Sequence, residues 1–142
     1  MRKMLFLLLS LMAATITACG GGDDDEGGSH ALMAPGENCM RSGCHGNFTL
    51  AGTVFPSATS SASAGIAGVS VVVTDANNTQ TTLTSNAAGN FYTGKAMAWP
   101  LQVSVVRNGQ TTEMSSPLSS AAEGACASCH SLGSDLGAVY AN

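Results

Sequence analysis

Between Phe48 and Leu118 apolar and polar positions alternate with a period of two, and charged residues are few. Val69, Val71 and Val73 share one side of such a run, and Leu101, Val103 and Val105 share one side of another. Successive side chains of a strand point to opposite faces, so each run predicts a strand with one face in a core. Turn signals separate the runs. Asp75-Ala76-Asn77-Asn78 stands before a Thr-rich return over 79–85, and Asn86 to Asn90 leads into Phe91 and Tyr92. Asn108-Gly109 predicts a type I′ hairpin, with residues 110–115 pairing back. Phe48 to Phe55 supplies the first strand, and the Ser- and Ala-rich stretch from Pro56 to Ala64 is a loop. The pattern predicts a mainly β fold, a small antiparallel β-sandwich of six or seven short strands over residues 48–118.

The run from Gly68 to Asp75, followed by Thr84-Ser85-Asn86-Ala87-Ala88-Gly89-Asn90-Phe91-Tyr92, resembles carboxypeptidase regulatory-like (transthyretin-like) domains. The resemblance implies an Ig-like sandwich and no particular chemistry, since such folds host many roles. A sandwich of about seventy residues has a marginal core by itself. Segments 30–47 and 119–142, which flank it, are expected to add apolar area together with whatever they bind.

The N-terminus reads differently. Arg2 and Lys3, the apolar run Met4 to Met12 and the small residues Ala13 to Ala18 have the layout of a secretory signal over residues 1–18. That segment is too short for a membrane span. Its end, Ile16-Thr17-Ala18-Cys19-Gly20, resembles a bacterial lipobox, which implies cleavage before Cys19 and acylation of that cysteine. Glycine rather than aspartate after Cys19 implies the outer membrane as the address. Several acyl chains on one cysteine anchor stably where one chain binds marginally. The alternative is an ordinary signal peptide that leaves a stray thiol in an oxidising compartment. Residues 19–29 continue as Gly and Asp with nothing to enter a core, a self-repelling tether.

After residue 18, three basic residues, Arg41, Lys95 and Arg107, face nine acidic ones, for a formal charge of −6. This excludes a nucleic-acid partner, which wants a basic footprint. It equally excludes electrostatic adhesion to anionic lipid, so membrane contact must come from the acyl anchor.

The candidate chemistry lies in the flanking segments. Cys126-Ala127-Ser128-Cys129-His130 has the Cys-x-x-Cys-His spacing of c-type haem attachment, in which two thiols bond one porphyrin edge and the histidine takes the iron. Cys39-Met40-Arg41-Ser42-Gly43-Cys44-His45 is a looser version with four intervening residues, and Ser42-Gly43 gives the extra length room to bulge. The pair resembles multihaem cytochromes, where the four-residue variant also occurs, and implies two covalent haems c with His45 and His130 as iron ligands. A zinc site would need about four converging ligands and no histidine directly after each second cysteine. A disulfide between Cys39 and Cys44 is the plain alternative for the first motif.

Each iron has a sixth position. His30 is the only further histidine, and Met33, Met40, Met97 and Met114 are the methionines beyond the signal. Met33 precedes Cys39 by a stretch able to span roughly 20 Å, enough to round a porphyrin edge, and Met114 stands upstream of Cys126. Met33, Met114 and His30 are therefore the candidate distal ligands, while Met97 beside Trp99 reads as core. A thioether ligand raises the reduction potential relative to a second imidazole. Asp135 and Glu123 near the second motif read as solvated carboxylates, so no distal acid-base pair is evident.

These readings converge on a lipid-anchored dihaem cytochrome c, an electron-transfer protein and no enzyme, exported to the outer membrane. Its partners would be redox proteins of the cell envelope, the membrane through its anchor and further copies of itself. A surface-anchored sandwich that binds a polymer or protein, with disulfides in place of haem, explains the anchor and strands equally well. A haem sensor or peroxidase would require an open sixth position.

Overall fold

The computed structural model describes Pro35 to Ala141. The signal segment, Cys19, the tether, His30 and Met33 lie outside the described residues. Six strands form two antiparallel sheets: β1 Leu50–Thr53, β2 Ser70–Thr74, β3 Gln80–Thr84, β4 Asn90–Thr93, β5 Gln102–Arg107 and β6 Gln110–Glu113. β1 pairs with β4, and the larger sheet has the order β3-β2-β5-β6. The mainly β, small antiparallel sandwich expected from the alternation is what the chain forms.

The valines do what their spacing dictates. Val69, Val71, Val73, Leu101, Val103 and Val105 are buried on one face of the larger sheet, and Leu50, Val54 and Phe91 meet them from the smaller one. Val71 stands opposite Val105 and Val73 opposite Val103, side-by-side pairs of β-branched side chains that stabilise the ladder. Each such side chain contributes about 1.5–3 kcal/mol when fully buried. Met97 and Trp99 pack against this core, as expected.

The hairpins follow the turn chemistry. Asn108 and Gly109 both adopt positive φ, 51° and 76°, the requirement of a type I′ turn. At the other hairpin the Asp75 carboxylate accepts the N–H groups of Asn77 and Thr79, each at 2.9 Å. Bonds to the charged carboxylate, that from Thr79 foremost, hold the Asp75 pKa below its ordinary value.

Beyond Leu118 the chain does not leave the sandwich. The Ala51 N–H donates to Gly124 O at 3.0 Å, Phe55 N–H to Val139 O at 2.8 Å, and Phe55 O accepts Ala141 N–H at 3.1 Å. Ala51–Ala125 and Phe55–Tyr140 are parallel bridges, so the C-terminal chain runs along β1 as an interrupted third strand. Backbone donors of β1 that do not pair with β4 are thereby satisfied. Residues 126–137 bulge out between the two paired stretches as a loop with close ends. Two 3-10 turns, Ala121–Glu123 and Cys126–Ser128, precede and open that loop.

Candidate functional site

The second motif sits in the bulging loop. Cys126 to Ser128 form a 3-10 turn, and the Cys126 carbonyl accepts the N–H groups of Cys129 at 3.2 Å and His130 at 2.8 Å. Three residues per turn bring positions three apart to one side, which sets Cys126 and Cys129 above one another. The two thiols nevertheless differ. Cys129 is exposed, whereas Cys126 packs against the core below Gly52 and Phe91. Burial pushes the Cys126 thiol up to about 12, with the neighbouring Cys129 and Cys39 adding in the same direction. A Cβ on Gly52 would lie 2.8 Å from the Cys126 Cβ and 3.1 Å from its Sγ, so this strand position has room only for hydrogen.

His130 is held by its ring. Its Nδ1 lies 3.2 Å from Gly137 O, and because a carbonyl only accepts, that nitrogen carries the proton. The lone pair then rests on Nε2. A metal-ligating histidine is oriented in this way, its second nitrogen donating to a backbone carbonyl. Gly137 is fixed in turn. Its N–H donates to Ser134 O at 2.9 Å, the next amide donates to Ala58 O at 3.1 Å, and a Cβ on Gly137, whose φ is +64°, would meet Ala58. Ser134 Oγ closes the loop on the carbonyls of Cys129 and Ser131.

The first motif is a tight loop closed by the His45 N–H on Cys39 O at 3.0 Å. The His45 ring stacks on Phe48, with centroids 4.6 Å apart and planes 14° from parallel, and Phe48 stacks on Tyr92 of β4 at 4.9 Å and 16°. Cys39 is a free thiol whose pKa is raised, chiefly by burial. Arg41 Nε lies 3.4 Å from the Cys44 sulfur. Because Cys39 is free, the Cys39–Cys44 disulfide that the sequence left open is not formed.

Both motifs lie on the same edge of the molecule. Asn38 Nδ2 donates to Ser128 Oγ at 3.1 Å, joining the residue before Cys39 to the turn of the second motif. Gly36 N–H donates to Thr53 Oγ1 at 2.9 Å, and a Gly36 Cβ would contact Leu132 and Phe55. β1 thus carries both segments, the first through Thr53 and the second through Ala51. Asn38, Ser128, Gly52, Phe48 and the Gly137 carbonyl matter to this arrangement, and the motif spacings assign none of them a role, Ser128 being a variable position inside the second motif. Only Phe48, three residues after His45 across Gly46-Asn47, had a readable signal.

The remaining candidates are dispersed. Met114 ends β6 in the larger sheet, its N–H bonded to Val103 O at 2.9 Å and its carbonyl accepting from Gln102 Nε2, while the Cys126 turn packs on β1. Glu123 accepts the Ser119 N–H, which makes it a structural carboxylate. Asp135 lines an open cleft of about 360 Å³ between Ala58–Ser60 and residues 133–137. Among the described residues no three His, Cys, Asp or Glu side chains converge as a metal site, and no helix is long and apolar enough to cross a membrane.

The residues fit a covalent porphyrin best at the second motif, where two adjacent thiols and an imidazole with a free Nε2 occupy one short loop. Comparison with protein-family models, with curated proteins and with solved structures finds no match to this chain.

Proposed function

We propose that the chain is a lipid-anchored dihaem c-type cytochrome that carries single electrons between redox proteins of the bacterial cell envelope, attached through Cys19 to the outer membrane. The observation that carries this reading is the Cys126–His130 loop, in which Nδ1 of His130 is tied to Gly137 O and Nε2 is left to bind iron. Haem c, when bound, supplies a one-electron iron couple. Cys126 and Cys129 would hold the second haem with His130, and Cys39 and Cys44 the first with His45. The protein's own part is ligation, orientation and burial. Gly137 keeps His130 in one tautomer, Phe48 flanks His45, and β1 sets both segments side by side. That shared edge supports direct exchange between the two sites, and the acidic composition supports steering of a basic partner. His30, Met33 and Met114 remain the proposed distal ligands, and carboxypeptidase regulatory-like ancestry the proposed origin of the sandwich.

A second reading is a surface-anchored binding module built on disulfides, which the anchor and the sandwich would serve equally well. Against it, Cys39, Cys126 and Cys129 stay unpaired although they lie close enough to perturb one another. A pyridine haemochrome spectrum with protein quantitation, on full-length protein from a host competent for cytochrome c maturation, separates the two. Two haems per chain are expected; one would leave Cys39–His45 without haem, and none would replace the cytochrome with the binding module.

A further inference from the structure

The two histidines are oriented by different means. A hydrogen bond fixes His130, whereas among the described residues the His45 ring has no hydrogen-bond partner and is held by aromatic stacking. We propose that Phe48 is the positioning residue of the first haem site, setting the plane of the His45 imidazole before and after the ring takes iron. The proposal rests on the dihaem reading.

A near-parallel stack resists tilting of the ring while leaving the ring edge, where both nitrogens sit, uncovered. The 14° angle between His45 and Phe48 is of this kind. Phe48 is itself backed by Tyr92 at 16°, and Tyr92 is paired with Ala51 in the ladder of β1 and β4. The orientation of the sheet is thereby passed through two rings to the imidazole. The turn contributes as well, since the Phe48 N–H donates to His45 O at 3.3 Å and Thr49 N–H to Thr93 O at 2.7 Å. Stacking takes the place that the carbonyl of Gly137 has at the second site. The plane of a ligating imidazole would shape the electronic asymmetry of the iron it held, so a change at Phe48 should register at one haem only.

The test compares full-length wild type, Phe48→Leu and Phe48→Tyr, each matured with haem. Leucine keeps apolar bulk without a ring, and tyrosine keeps the ring. Low-temperature electron paramagnetic resonance and redox titration are read beside haem per chain and thermal melting. Expected is a shifted and broadened signal and a displaced potential for one haem in Phe48→Leu, with the other unchanged and Phe48→Tyr close to wild type. In the haem-free chain the His45 ring protons should lie upfield by NMR in wild type and lose that shift in Phe48→Leu. A loaded Phe48→Leu with both signals and potentials unaltered overturns the proposal and leaves the dihaem reading standing, as does equal perturbation by leucine and tyrosine. A wild type with haem at Cys126–His130 alone overturns both the first site and its positioning residue.

Discussion

The Cys126 thiol, pushed up to about 12, is a poor nucleophile in the folded chain. At pH 8 a thiol with that pKa is ionised on the order of one part in 10⁴, and only the thiolate reacts. Cys129, one 3-10 turn further on and exposed, has no such shield. In reduced, haem-free protein iodoacetamide should therefore label Cys129 first and Cys126 only as the loop opens, as peptide mass spectrometry would reveal; equal rates would mean that Cys126 is not packed as described. The same shift has a stability consequence. The folded chain keeps the Cys126 proton up to about pH 12, whereas the unfolded chain loses it near the ordinary value of 9.0. Between those values the unfolded state binds fewer protons, so this contribution is complete below pH 9 and fades as pH rises. The slope is at most about 1.4 kcal/mol per pH unit. Denaturant titrations of wild type and Cys126→Ala across that window should diverge in the wild type's disfavour, and parallel curves would contradict the burial. Gly52→Ala attacks the same contact from the strand side. Its methyl would stand 2.8 Å from both the Cys126 Cβ and Phe91 Cζ, within a buried strand that cannot yield freely. Overpacking of this kind destabilises by about 1–3 kcal/mol, and alkylation of Cys126 should accelerate. A variant as stable as wild type would mean that the neighbours move aside cheaply.

At the scale of elements, the two hairpins differ in what holds their turns. Both turns use positive φ, at Asn108-Gly109 in one and at Asn78 in the other, and the second adds the charge of Asp75. Asp75→Ala removes the acceptor of the Asn77 and Thr79 N–H groups and should lower the melting temperature at neutral pH. Because the folded pKa of Asp75 is depressed below 3.8, its contribution is present above that value and is lost as pH falls through the folded pKa. The gap between variant and wild type should accordingly shrink as the pH falls below the ordinary carboxylate range, and a constant gap would point to lost packing instead. These elements were legible in the sequence because each rests on local rules. Val69, Val71 and Val73 can bury one face only as a strand, and Asn-Gly fits one hairpin turn. Sheet membership was less legible. β3 and β4 are consecutive, yet one joins β2 and the other β1, a choice made by how Phe91 and Leu50 fill the space over the valines. The two Cys/His motifs could be read from spacing alone. Their meeting through Asn38 and Ser128 could not, since the two residues are far apart in sequence and the spacing of neither motif calls for that contact.

For the whole molecule, the expected boundary at residue 118 is not where the structure ends its sheet. Gly124-Ala125 and Val139-Tyr140-Ala141 show no strand alternation, but joining the edge of β1 needs only backbone groups in extended form. The sandwich and the second motif are therefore parts of one unit. The loop 126–137 is strung between two paired stretches, and Ala138 and Ala141 are buried where it returns. Arg107 Nη1 reaches across from β5 to Ala141 O at 3.1 Å and ties that return to the larger sheet. A chain ending at Gly137 keeps every residue of Cys126-x-x-Cys-His but loses the Val139 and Ala141 bonds to Phe55, the Arg107 tie and the anchoring of Gly137 at Ala58. It should melt at a lower temperature than the full chain. In protein matured with haem, the second site should become heterogeneous in its resonance spectrum while the first is affected less, because the first hangs on Thr53 and Phe48. A truncated chain with unchanged melting and spectra would show that the terminal residues merely lie beside β1. The expected outcome would instead make the return strand part of the site, since it fixes the carbonyl on which the His130 tautomer depends.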